Sequence, residues 1–176
     1  MDLSRRSFVT GAASVAALTA MGGISIASAE GTRIVIGRPT DSDNLDPVTC
    51  TGNQNLFVLN LVVEPLVATT DNGDDIEGCL AESWDISDDG KVYTFHILPD
   101  LKFSDGSPVT AADWQWTFDR AIEHEESSWH MCVESIDHVE CPDDLTVIVY
   151  CKEAAASTLA NLSIFDLGVQ SKAYFD

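Results

Sequence analysis

Between Leu80 and Asp113 the chain alternates short apolar and polar steps in two distinct rhythms. Ala81, Ser83 and Asp85 interleave with Glu82, Trp84 and Ile86, and Val92 to Ile97 is a run of β-branched and aromatic residues. Such composition suits a pleated, half-buried surface. Asp88-Asp89-Gly90 lies between the two runs, and Gly90 supplies the positive φ of a tight turn. A β-hairpin is therefore predicted. Asp105-Gly106 followed by Ser107-Pro108 marks a second turn. Thr110 then stands as an N-cap with Asp113 three residues on, a variant of the capping box. The helix it opens carries Trp114, Phe118, Ala121 and Ile122 on one face.

The remaining pattern is coarser. Residues 32–37 (TRIVIG) read as a short strand, and residues 54–63 as a helix through Leu56, Leu59, Asn60 and Val63. Glu64-Pro65-Leu66-Val67 ends that helix and starts a strand. Residues 135–140 and 145–150 predict a second hairpin around Pro142-Asp143-Asp144, and residues 154–162 a further helix. No internal repeat or long linker interrupts the series. Strands and helices in this order give an α/β chain of mixed α+β character.

The N-terminal residues have a different logic. Ser4-Arg5-Arg6-Ser7-Phe8-Val9 resembles a twin-arginine export motif, with Arg5 and Arg6 as its signature. A moderately apolar stretch follows to Ile26, and Ala27-Ser28-Ala29 forms a small-x-small cleavage site. A leader over residues 1–29, cut after Ala29, is expected. It would place the protein in the periplasm or cell envelope, with the twin-arginine translocase as its export partner. No cysteine directly follows the apolar run, so a lipid anchor is not expected.

Charge narrows the partners. Nine Lys or Arg stand against 29 Asp or Glu among 176 residues, a formal net charge of −20. Such a surface repels phosphate backbones and anionic lipid, which argues against nucleic acid and membrane-surface roles. The run Asp71-Asn72-Gly73-Asp74-Asp75 reads as a loop, because it lacks the spaced oxygens and distal Glu of a calcium site. The histidines show no metal spacing. Five cysteines (Cys50, Cys79, Cys132, Cys141 and Cys151) contain no C-x-x-C. An oxidising compartment favours disulfides, and Cys132 with Cys141 or Cys151 is the local candidate. Cys141 and Cys151 do not face each other across the second hairpin, so a bridge between them would need distortion.

The ordered strings LAESW, SDDG, YTFHI, KF-DG-P and TA-D, with Asn44-Leu45-Asp46-Pro47 and Glu64-Pro65-Leu66-Val67, resemble the family 5 extracytoplasmic solute-binding proteins. The resemblance runs over nearly all of the chain beyond Ala29. It implies a partial periplasmic-binding-protein-like type II fold: residues 30–69 as the N-terminal part of lobe I, residues 70–162 as an inserted α/β domain, and residues 163–176 as a return toward lobe I. It implies no enzyme activity and no cofactor. The implied partners are a peptide or other small solute and an ABC permease in the membrane. Thr51, Gly52 and Asn53 fall where relatives make main-chain contacts to an extended peptide. Trp129 lies near a position that offers an aromatic to the cleft, although ordinary packing accounts for it equally well. The family supplies one wall of a two-lobed cleft here, so the chain alone is expected to bind peptide weakly or not at all. A secreted redox, metal or hydrolytic protein, or a solute sensor on the same fold, is the competing reading.

Overall fold

The computed structural model describes residues 37, 40–164 and 167–175. The expected leader with Arg5, Arg6 and Ala29, and the strand expected at 32–37 apart from Gly37, lie outside the described residues. Residues 38–176 form one compact unit. Its elements are helix α1 (Asn53–Val62), strands β1 (Val67–Thr69), β2 (Ile76–Gly78), β3 (Ala81–Ile86) and β4 (Val92–Ile97), and helix α2 (Ala111–Glu123). A 3-10 turn (His130–Cys132), β5 (Ile136–Asp143), β6 (Thr146–Cys151), α3 (Thr158–Leu162) and α4 (Lys172–Phe175) complete it.

The hairpin around Gly90 forms as its residues dictate. β3 and β4 pair antiparallel, with Trp84 opposite Phe95 and Ile86 opposite Tyr93. Gly90 has φ 68°, and its N–H donates to the Ser87 carbonyl at 2.8 Å. A Cβ at Gly90 would lie 3.2 Å from the Ala154 methyl, so the position is constrained by both conformation and space.

Four strands make one antiparallel sheet in the order β3-β4-β6-β5, and β1 and β2 form a separate antiparallel pair. One face of the larger sheet is apolar. Tyr93, Phe95 and Ile97 of β4 and Val147, Val149 and Cys151 of β6 are buried on it. Helix α2 lies across β5 and β6 and buries Trp114, Phe118 and Ala121 there. Each large side chain so buried contributes about 1.5–3 kcal/mol of transfer free energy. The helix starts where Asp113 accepts hydrogen bonds from the Thr110 N–H (3.0 Å) and hydroxyl (2.9 Å). The opposite sheet face is wetter, carrying exposed His96 beside Asp85 (3.3 Å) and His138 stacked on Tyr150 at 4.4 Å.

The second hairpin is longer than the sequence suggested. β5 runs through Pro142 to Asp143 instead of stopping at Glu140. β5 is an edge strand, and an edge strand tolerates a residue without an N–H. The helix expected over 154–162 begins only at Thr158. Thr158 bonds back to the Ala155 carbonyl through both its N–H (3.1 Å) and its hydroxyl (2.9 Å), making 155–158 a turn. Helix α1 matches its expected span within a residue. It is apolar on most sides, and Phe57, Leu61 and Val62 are exposed on it.

The expected disulfide is not formed. Cys141 and Cys151 carry free thiols, and neither bonds to Cys132. The register explains why the two hairpin cysteines stay apart. Cys151 lies opposite Ile136, whereas Glu140 lies opposite Ile148. Cys141 is thus displaced by at least four residues from Cys151 along the ladder, roughly 13 Å or more at the usual strand rise, beyond the reach of a bridge. The Cys141 thiol instead donates to the Ala111 carbonyl at 3.0 Å, and burial pushes it up to about 11.

Candidate functional site

The candidate residues Thr51, Gly52 and Asn53 sit together, exposed, where the Asn44–Gly52 loop enters helix α1. Gly52 is the N-cap with φ 85° and no capping side chain, a conformation that favours glycine. The Gln54 side chain lies over Gly52, 2.6 Å from where a Cβ would stand, and Asn55 takes the Thr51 carbonyl through Nδ2 and the Gly52 carbonyl through its N–H.

The loop is held by residues the sequence did not single out. Asn55, fully buried, is its hub. Its Oδ1 accepts the Asp43 N–H at 3.1 Å and the Asn44 N–H at 3.4 Å. Its Nδ2 donates to the Thr51 carbonyl at 2.7 Å and to the Asp43 carboxylate at 2.8 Å. The last of these bonds holds the Asp43 carboxyl below its ordinary range.

Asp46 organises the next turn. Its carboxylate accepts from the Val48 N–H at 3.1 Å and the Thr49 hydroxyl at 2.8 Å, and its carbonyl accepts the Cys50 N–H at 2.9 Å. Arg120, in the last turn of α2, grips both Asp46 oxygens, with Nη1 2.7 Å from Oδ1 and Nη2 bonded to Oδ2. Burial raises the Asp46 carboxyl. The bonds from Arg120 and Thr49, the Arg120 charge and the Val48 N–H outweigh that and hold it below 3.8.

Trp129 is brought to the same loop. Its indole N–H donates to the Cys50 carbonyl at 3.0 Å, and its ring packs on the small cluster of Cys50 and Leu59. Ser127 adds a hydroxyl bond to the Val48 carbonyl. All four sequence-named candidates therefore converge on one wall, and Trp129 both packs and lies beside Thr51. Next to this wall is an open, largely apolar recess of about 380 Å³ lined by Leu45, Pro47, Val62, Val63, Phe103 and Phe175, among others. The other tryptophans lie elsewhere. Trp114 is in the core, Trp84 packs on Phe95, and Trp116 packs on Phe175.

The arrangement sets the exposed Thr51, Gly52 and Asn53 beside Trp129 and the apolar recess. Among the described residues there is no group of three His, Cys, Asp or Glu placed to hold a metal, and no helix is long and apolar enough to cross a membrane.

Comparison with known proteins adds a family to this geometry. The model of the bacterial extracellular solute-binding proteins, family 5 Middle, matches residues 75–174. A probable D,D-dipeptide-binding periplasmic protein, DdpA of Escherichia coli, is 34% identical over 118 residues, covering 65% of this chain and 23% of its own. The periplasmic oligopeptide-binding protein OppA of Escherichia coli is 30% identical over 152 residues, covering 82% and 27%. Among solved structures, NikA from Brucella suis in complex with Fe(III)-EDTA superposes with TM-score 0.67 at 31% identity, over 73% of this chain and 26% of that one. DppA from Helicobacter pylori in complex with the peptide STSA gives 0.66 at 27%, over 76% and 30%. The chain spans about a quarter of the length of the curated relatives it matches. These relatives are binding proteins, and the matched structures share the mixed α/β architecture of type II periplasmic binding proteins.

Proposed function

Because the chain belongs to the family 5 bacterial extracellular solute-binding proteins, we propose that it forms one wall of a receptor that captures a peptide outside the cytoplasm for an ABC importer. The observation that carries this reading is the Thr51-Gly52-Asn53 step. It is exposed, and it is held from behind by Asn55, Asp46 and Trp129. Main-chain pairing grips an extended peptide without reading its side chains. The relatives named for dipeptide and oligopeptide binding favour a peptide over other solutes.

In this reading residues 30–69 belong to lobe I, residues 70–162 form the inserted domain and residues 163–176 return toward lobe I. Arg5 and Arg6 direct export through the twin-arginine translocase, and cleavage after Ala29 releases the protein into the periplasm. Capture proceeds by closure: solute contacts on both lobes stabilise the closed form, which then docks on the permease.

Calorimetry with the tetrapeptide Ser-Thr-Ser-Ala tests both halves of the proposal. One wall lacks the opposing contacts, so the 176-residue chain should bind it no tighter than about 1 mM, only ~4 kcal/mol. A chimera of the Helicobacter pylori receptor that carries residues 44–53 of this chain should keep its peptide affinity within about tenfold, ~1.4 kcal/mol. Micromolar binding by the chain alone would overturn the one-wall reading. Loss of peptide binding in the chimera would overturn the peptide assignment.

A further inference from the structure

Arg120 is more than sixty residues from Thr51, Gly52 and Asn53 in sequence, yet its guanidinium reaches two distant parts of the chain at once. It bonds Asp46, 74 residues away, through both carboxylate oxygens, and Gln170, 50 residues away, through Nη1 at 2.8 Å from Oε1. Its Cζ lies over the Phe175 ring, 4.7 Å from the centroid, and 5.7 Å from the centroid of Trp116. A guanidinium set against two touching rings and forked onto a carboxylate is fixed in direction as well as charge.

The carboxylate it grips is the one that holds the Val48 N–H and the Thr49 hydroxyl, and so sets the path into Thr51. We propose that Arg120 is a positioning residue for the solute-facing wall: by orienting Asp46 it holds the 47–53 backbone in its binding conformation from behind. The proposal rests on the reading above only in calling that wall solute-facing. A residue that merely adds stability would loosen the whole domain when removed. A positioning residue loosens the loop and leaves the sheet alone.

Hydrogen–deuterium exchange on the full 176-residue chain, without solute, separates the two. In Arg120→Gln the amides of Val48 and Cys50 should exchange at least tenfold faster, while those of Phe95 and Val149 in the sheet keep their rates. Arg120→Lys keeps the charge but loses the fork and the stacking, so it should also accelerate the loop. Lys91→Met, which deletes a surface charge bonded to the Lys152 carbonyl, should change neither. Should Arg120→Gln fail to fold, Asp46→Asn tests the same link more gently and should give the same selective acceleration. Unchanged loop protection, uniform acceleration of loop and sheet, or full protection in Arg120→Lys would each overturn the proposal. Since no solute is used, the tetrapeptide titration can fail while this result stands, and the reverse.

Discussion

Replacing Asn55 by Ala is the sharpest probe of how the wall is built. The substitution removes two well-formed neutral bonds, from the Asp43 N–H at 3.1 Å and to the Thr51 carbonyl at 2.7 Å. Each such bond contributes about 0.5–1.5 kcal/mol net, giving roughly 1–3 kcal/mol together. The contact to Asn44 at 3.4 Å is marginal. The bond to the exposed Asp43 carboxylate is solvated and is left out. Against this, Ala is the better helix former by up to about 0.7 kcal/mol. A net loss of about 1–2 kcal/mol is expected. At a slope of about 2 kcal/mol/M in urea, the midpoint should fall by roughly 0.5–1 M with the slope unchanged. Asn55→Asp sharpens the test. It keeps the acceptor oxygens, loses both donors and sets a carboxylate against Asp43, so it should be worse than Ala at pH 7 and recover as the solution is acidified below about 4. A midpoint that stays or rises in Asn55→Ala would refute the hub role, because helix preference alone would then govern the position.

The pH dependence of Asp46 follows from its depressed carboxyl. Its contribution is present above 3.8 and lost as pH falls through the lower folded value. The gap in urea midpoint between wild type and Asp46→Asn should therefore hold from pH 7 to about 5 and close below about 3.8. A gap unchanged at pH 3 would contradict the ion pair. In the core, the Trp114 indole N–H is buried with no acceptor among the described residues. Trp114→Phe should therefore cost under about 1.5 kcal/mol and Trp114→Ala about 3–5 kcal/mol, read from thermal or urea unfolding. Equal losses would contradict this ordering. Burial raises the thiols of Cys79, Cys141 and Cys151, so at pH 8 they should react with a thiol reagent more slowly than a free cysteine peptide. Fast modification of Cys141 in the native protein would contradict its packing against α2.

The parts of the fold readable from sequence are those fixed by neighbours in the chain. Gly90 and Asp88-Asp89 specify one turn, and Thr110 with Asp113 specifies one helix start, because each device acts within four residues. Pro142 misled for a physical reason: whether a strand lies at an edge is a property of the sheet, not of the strand. The start of α3 was misplaced because Ala154 packs against the distant Gly90 turn and Thr158 closes a local turn instead of extending the helix. Thr51, Gly52, Asn53 and Trp129 were reachable only through family resemblance. Asn55, Asp46 and Arg120 were missed because each role joins a local turn to a partner 12 to 74 residues away. A polar Asn inside an apolar helix and an Asp-Pro turn were the signals that pointed to two of them.

The Arg120 clamp also sets a timetable. A nascent polypeptide leaving the ribosome at about 5–20 residues per second makes Asp46 long before its partners. Arg120 follows 74 residues later and Gln170 another 50 after that, so roughly 6–25 s pass before all three exist. Over the first 74 residues of that interval the 46–53 stretch has its bonds to Asn55 but not yet the grip of Arg120. The clamp is thus completed late in synthesis, and a translational pause after Arg120 would leave it without its third contact.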